Sequence, residues 1–270
     1  MNALLISELS NEQLDPINAL ALIEQHVFAS HADIVQKIDQ LIYQCQVDLA
    51  AEHDPEYDIV ERIEYFLDNL YCQQLFADNK RERWSLLSFE PCKALDYKII
   101  APALKIILVQ YITQACGFQA DVVFIPQSFM VRIACDEDSS VIFDPVTGEC
   151  VNGQEYAART SDVQGDPSRH ELRGENNKLL LFNYLTTLKN TFIYEQRFEQ
   201  ALKCVDILLA LYPDDPLERR DRGFLLHQLD CFKVAYDDYR FFVEQCPEDP
   251  GAQLLKLQLD NIKITDNILH

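Results

Sequence analysis

Chemistry at neutral pH needs a nucleophile, a base or a set of ligands, and this 270-residue chain offers few of each. Its nine cysteines stand at positions 45, 72, 92, 116, 135, 150, 204, 231 and 246. Cys92 is the candidate thiol. Pro91 sets it at a helix start beside Lys93, and both a helix N-terminus and a neighbouring cation lower a thiol's pKa. No histidine lies between His53 and His170, so His170 is the base such a thiol would use, with Asp144 to orient it. The cysteines are odd in number, form no C-x-x-C pair, and several fall on apolar helix faces. That pattern reads as reduced core residues, not as a disulfide framework or a zinc ribbon. His26 and His31 lack a third ligand in sequence and read as surface residues, so no metal is expected. No glycine-rich phosphate loop and no H-E-x-x-H occurs, so no cofactor is expected either.

Groups that could bind are more visible. Arg219, Arg220 and Arg222 crowd into four residues of an acidic chain. Their guanidinium forks suit carboxylates and phosphates. On a helix Arg219 and Arg222 share a face while Arg220 points about 100° away. Two uses stay open. The arginines could pair internally, with the acidic N-terminal part or with Asp214 and Asp215, and fix a domain junction. They could instead hold a partner, together with Asn183 and Asn190.

These residues must be positioned by a helical framework with one small sheet. Asp15-Pro16 and Asp54-Pro55 each place a capping carboxylate before a proline at the first helical position. Ser30 can cap a further helix, whose stripe is Ile34, Val35, Ile38, Leu41, Ile42 and Cys45. Pro102 opens and Gly117 closes a helix that is apolar nearly all round, interrupted by Lys105, Gln110 and Gln114. Such a helix belongs in the middle of a domain. The period then changes to two. Strands are expected at 122–125, 129–135 and 141–143, joined by tight polar turns into an antiparallel sheet. Residues 153–177 are polar and read as a linker, with a short helix near Gln154–Arg159.

The C-terminal part repeats. Ala201 recurs as Ala235 and Pro213 as Pro247, both after 34 residues. Tyr212-Pro213-Asp214-Asp215-Pro216 returns as Cys246-Pro247-Glu248-Asp249-Pro250. A 34-residue period of paired helices is the tetratricopeptide signature. Gly223 fills the small-residue position of the second unit, where the first has Lys189. Phe192 and Leu226 take the large inner position, and Gln253–Asn261 would cap the array.

A central buried helix followed by an antiparallel sheet is also the layout of papain-like and transglutaminase-like thiol enzymes, in which the helix N-terminus holds the cysteine and the strands hold histidine and acid. The chain resembles the bacterial SirB-type proteins, which join a transglutaminase-like domain to tetratricopeptide repeats. The resemblance is carried by Ile125-Pro126-Gln127-Ser128-Phe129-Met130-Val131-Arg132, where Pro-Gly-His-Phe-Leu-Val-Arg is common among relatives. It is carried also by Ile142-Phe143-Asp144-Pro145-Val146-Thr147-Gly148, and by the repeats at 215–223 and 242–250. It spans most of the chain and weakens before residue 90. It implies an α+β, transglutaminase-like domain over 1–152, the linker 153–177, and an all-α domain of two repeats plus a capping helix over 178–270. Residue by residue, the triad does not carry over. The cysteine position falls near Ile100 to Ala103, the histidine position is Ser128, and only Asp144 keeps its identity. Asp144 then serves to cap the turn at Pro145.

Charge narrows the partners. Lys and Arg number 23 against 44 Asp and Glu, a net of −21. Residues 1–176 hold 12 basic and 29 acidic groups, and residues 177–270 hold 11 and 15. Such a surface repels nucleic-acid phosphates and anionic lipid, so neither is expected as a partner. The N-terminus lacks the basic region of a signal peptide and no apolar run reaches membrane-spanning length, so a cytoplasmic protein is expected. The expected function is a non-enzymatic interaction or regulatory protein that takes a protein or peptide in the repeat groove. The alternative is a thiol hydrolase or acyl transferase with the displaced site Cys92–His170–Asp144.

Overall fold

The computed structural model describes residues 3–11, 13–51, 58–74, 76–125, 128–136, 139–151 and 176–268, with 260–268 described by backbone alone. His170, the Asp54-Pro55 signal and the helix expected near 154–159 lie outside the described residues. By internal contact the chain divides into two compact units. The first comprises residues 12–25 and 29–184; the second comprises residues 1–11, 26–28 and 185–270.

Capping explains where the helices of the first unit begin. In α2 (Pro16–Ile23) the Asp15 carboxylate accepts from the backbone N–H of Ile17 at 2.8 Å and of Asn18 at 3.1 Å, as its sequence predicts. The next helix, α3 (Ile34–Ala51), is capped differently from expectation. Asp33 Oδ1 accepts from Gln36 N–H at 3.0 Å, whereas Ser30 closes only a local turn on Ala32. The Asp33 carboxylate sits at the right spacing, and the hydroxyl three residues earlier does not. Helix α4 (Ile59–Asp68) opens with a full capping box, Asp58 and Glu61 satisfying each other's backbone N–H groups.

Both α2 and α4 end in π-helical turns, Glu24–Phe28 and Asn69–Gln73. A π turn inserts an extra residue and rotates the face of everything beyond it. Here it swings polar side chains inward: Glu24, Asn69 and Tyr71 are all buried. Helix α5 (Pro91–Tyr97) starts on proline, as does α6 (Pro102–Ala115), the expected central helix. Ala103 through Gln110 are buried without a break, Lys105 among them.

Helix α6 packs on β1 (Ala120–Ile125) and β2 (Ser128–Ala134), and β3 (Ser140–Phe143) completes an antiparallel sheet of order β1-β2-β3. The register pairs Val122 with Val131, and Val131 with Phe143. Val122 and Val123 are both buried, as are Met130 and Val131, so both faces of the sheet are covered. After Phe143 the chain turns through Asp144–Gly148. Gly148 has φ +81°, and a Cβ there would stand 2.6 Å from the Tyr71 ring.

The second unit carries the repeats. Helix α7 (Asn177–Tyr194) contributes residues from 185 onward, followed by α8 (Phe198–Leu211), α9 (Pro216–Gln228), α10 (Phe232–Gln245) and α11 (Pro250–Ile268). The 34-residue period is visible atom by atom. Gln196 and Asp230 both take left-handed backbone, at φ 58° and 59°. Arg197 N–H bonds Phe192 C=O and Cys231 N–H bonds Leu226 C=O, each at 2.8 Å. Asp215 and Asp249 cap α9 and α11 from the residue before proline. At Gly223 a Cβ would meet the Tyr239 ring at 2.9 Å, which is why this position is small. The first helix, α1 (Ala3–Ser10), packs on α8 in the same unit.

Two glycines separate backbone strain from packing. Gly117 (φ +91°) has open space where its Cβ would be, while Gly148 faces Tyr71. Gly117→Ala should cost about 1 kcal/mol in urea unfolding, the left-handed penalty alone, and Gly148→Ala about 3 kcal/mol or more. Equal losses would show that the Tyr71 contact imposes nothing.

Candidate functional site

The catalytic quarter of a transglutaminase-like fold lies where the N-terminus of the central helix meets the strand ends. In this chain Ile100, Ala101 and Ala103 occupy that helix start and are buried apolar residues. Ala101, the N-cap of α6, makes no side-chain cap and gives its N–H to Ser88 C=O at 2.9 Å. Ser128 stands at the start of β2 opposite Ile125, and its hydroxyl is no general base near neutral pH. Asp144 directly follows Phe143, the last residue of β3, which pairs with Val131 toward the Ser128 end of β2.

Asp144 is buried and fully engaged. One carboxylate oxygen accepts from Val146 N–H at 2.8 Å, and the other receives the Lys80 ammonium at 2.8 Å. Its backbone closes the turn as well, bonding Gly148 and Glu149. The expected turn-capping role is thus the one the geometry shows. The cation that organises this quarter is one that sequence reading treated as an interruption. Lys105, 1% exposed, donates to Phe76 C=O and to Val146 C=O, the latter at 3.0 Å. The Tyr71 hydroxyl bonds Pro145 C=O at 3.0 Å, and its ring stands edge-on to Phe143. Burial lowers Lys105 to about 8, with Asp78 and Asp144 opposing the shift. Burial raises Tyr71 well above the usual phenol range, helped by Asp144.

Cys92 behaves opposite to expectation. It does sit at the start of α5, but buried, and its N–H is tied to the Glu24 carboxylate at 3.1 Å. Lys93 does not face the thiol as a free cation; its ammonium pairs with Glu90 at 2.9 Å. Burial, and then Glu24, push Cys92 up to about 12. The charged groups acting on Cys92 are Glu24, Lys37 and Asp96, whereas Lys80, Lys105 and Tyr71 surround Asp144. The structure therefore gathers Cys92 and Asp144 into two different clusters. A cavity of about 580 Å³ lies at the far end of the β1–β2 hairpin from Ser128, and Asp121 and Arg132 in its wall are bonded to each other.

In the second unit the arginines have partners, but not the expected ones. Arg222 forms a bidentate pair with Asp238 at 2.6 Å, and Arg219 reaches the same carboxylate at 3.3 Å. Arg220 pairs with its neighbour Asp221 at 2.8 Å. The acids come from α9 itself and from α10 across the helix hairpin, in place of Asp214, Asp215 or the N-terminal part. Lys189, at the small-residue position, is buried and bonds both oxygens of Glu218 at 2.8 and 2.9 Å, and Asp221 at 2.7 Å. Burial raises the Glu218 carboxyl against the pull of Lys189. Residues not singled out from sequence face solvent instead: Leu217 and Phe224 on one face of α9, and Leu254 and Leu257 on α11. Tyr194 and Asn190 are exposed on α7, while Asn183 belongs to the other unit. Helical spacing around Gly223 would have found Leu217 and Phe224; the charge of the arginines drew attention away.

Comparison with known proteins agrees with this architecture. A family described as transglutaminase-like superfamily matches residues 32–191, and one described as tetratricopeptide repeat matches 188–260. A UPF0162 protein of Vibrio cholerae is 29% identical over 218 residues, 80% of each chain. The UPF0162 protein YchA of Escherichia coli K12 is 32% identical over 151 residues, 55% of this chain and 56% of that protein. Protein SirB1 of Salmonella typhimurium is 31% identical over the same share of each. No solved structure matches.

Two predictions follow the buried cations. Lys105 titrates near 8 in the folded protein and near 10.5 when unfolded. Between those values the unfolded chain binds more protons, so stability rises with pH. Wild type should gain up to about 3 kcal/mol over Lys105→Met between pH 8 and 10.5, measured by urea titration; parallel curves would refute the buried cation. Lys189→Met should cost about 3 kcal/mol by stranding Glu218, and adding Glu218→Met should recover most of it. A double variant as unstable as the single one would show that Glu218 is not the partner.

Proposed function

The chain belongs to the transglutaminase-like superfamily as a SirB-type member, and from that premise we propose that it is a non-catalytic binding protein whose repeats take a protein or peptide partner. The observation that carries this reading is the state of Asp144. Both carboxylate oxygens are occupied, one by Val146 N–H and one by Lys80, where a thiol enzyme would offer an oxygen to an imidazole. The residues at the nucleophile and base positions, Ile100 to Ala103 and Ser128, support it. A displaced thiol site at Cys92 would need a thiolate near neutral pH, and burial with Glu24 opposes that.

Binding is assigned to the exposed stripe of the repeats. Repeat arrays present the first helix of each pair on a concave face. On that helix in the second repeat, Leu217 and Phe224 are exposed seven residues apart with Arg220 between them, and Leu254 is exposed on the next such helix. Arg219 and Arg222 point at α10 and hold the hairpin together.

Two measurements test the proposal. Purified protein given a glutamine-donor protein with a fluorescent amine, or a p-nitrophenyl ester, should turn over neither. Turnover abolished by Cys92→Ser would establish the thiol enzyme instead. A photocrosslinking residue at Leu217 or Phe224 in living cells should give discrete adducts, and the same residue at exposed Tyr43 in the other unit should not. Adducts independent of position would remove the stripe from the binding account.

A further inference from the structure

A buried carboxyl group joins the end of α2 to the start of α5. Glu24 opens the π turn that follows α2 and is 1% exposed. Its Oε1 accepts from the N–H of Cys92, in the first turn of α5, at 3.1 Å. Its Oε2 is equally buried and meets no hydrogen-bond donor. One oxygen of the group is thus built into a helix start while the other is left dry.

No cation is held for Glu24 either. The titratable and charged groups that act on it are Glu90, Cys92 and Lys93 from α5, and Lys37 from α3. Both ammonium groups have carboxylates of their own. Lys93 pairs with Glu90 at 2.9 Å, and Lys37 pairs with Asp96 toward the other end of α5. Glu90 is itself buried, so a second acid serves the same helix start. A negative charge on Glu24 would leave Oε2 without water, donor or ion, whereas a neutral carboxyl leaves only a hydroxyl unbonded, a far smaller cost.

We infer that Glu24 is a proton-operated latch: neutral, it holds the end of α2 on the start of α5; ionised, it releases that contact to solvent. The neutral group keeps its carbonyl oxygen for Cys92 N–H, so the closed contact needs no charge. The ionised group gains more from water than from one N–H, so the first turn of α5 opens locally while the rest of the domain stays folded. The direction in pH follows. Burial raises the Glu24 carboxyl above its ordinary value of 4.5 against the pull of Cys92, with Glu90 adding to the rise and Lys93 opposing it. The closed form therefore holds its proton more tightly than the open form. Its advantage is whole below 4.5 and is lost as pH rises through the folded value.

The Cys92 amide reports the latch directly. Its hydrogen exchange is followed by NMR in the full chain and corrected for the intrinsic rate at each pH. In wild type its protection should fall by up to about tenfold per pH unit above about pH 4.5 and then level off. Glu24→Gln keeps a neutral acceptor and should hold constant protection to about pH 8. Glu90→Gln frees Lys93 to face Glu24, so its fall should level off at a lower pH than in wild type. That comparison decides the matter should Glu24→Gln fail to fold. Protection independent of pH in wild type, or falling alike in wild type and Glu24→Gln, would overturn the inference. So would a Glu90→Gln profile that superimposes on that of wild type.

Discussion

The first unit depends on one buried cation. An ammonium group inside an apolar helix is unfavourable unless its protons find acceptors, and Lys105 meets that demand with two backbone carbonyls. Those carbonyls belong to Phe76, after the π turn of α4, and to Val146, in the turn after β3. A single side chain therefore draws two distant loops onto the central helix. Asp78 N–H bonds Val146 C=O as well, joining the two loops directly at 3.1 Å. Even as a neutral amine Lys105 keeps two N–H donors, so the arrangement survives loss of the proton while the desolvation penalty falls away.

The same constraint recurs in the repeats with different acceptors. Lys189 stands where a repeat ordinarily needs a small residue, because helices approach closely there. Glu218 and Asp221 come from the equivalent helix of the next repeat, so the pair fixes which helix face stacks on which. Buried ion pairs add little net stability over apolar packing, but a mismatched stack would leave two charges unpaired. Arg222 and Asp238 set the angle of the α9–α10 hairpin in the same fashion. The acidity of the chain is thus partly structural: buried Glu218 stands against Lys189, and buried Asp238 against Arg219 and Arg222.

Much of the frame was legible in the sequence because it is encoded locally. Asp15-Pro16, Pro102 and the repeated Asp-Pro caps specify helix starts within a few residues, and the change of period from helical to two marks the sheet. What failed was long-range or depended on the hydrogen-bond ladder. The π turns that bury Glu24 and Tyr71 leave no compositional trace, so Cys92 looked like a thiol beside a cation when a carboxylate was aimed at it. Lys105 read as a break in an apolar helix because Phe76 and Val146 lie 29 and 41 residues away. The arginine partners were nearer to hand. Asp238 is 16 residues from Arg222, a separation that a two-helix hairpin folds back on itself. The turn role of Asp144 could be read because Pro145 and Gly148 follow it immediately.

The lysines around Asp144 bear on what this fold could still do. In a thiol enzyme the acid sits beside an imidazole and stabilises its positive charge once the thiol has given up its proton. Here Lys80 is bound to that acid, and the Lys105 ammonium lies near it from the central helix. A new imidazolium would have to displace the Lys80 ammonium, whose side chain is largely exposed, and tolerate that of buried Lys105, so its pKa would fall when catalysis needs it raised. Restoring a cysteine at the start of α6 and a histidine at Ser128 would therefore not rebuild a thiolate–imidazolium pair. The lysines would have to go as well, and with Lys105 would go the tether on the two loops that place Asp144. On the proposed reading, the charge that holds this quarter of the domain in shape is the same charge that keeps it from reacting.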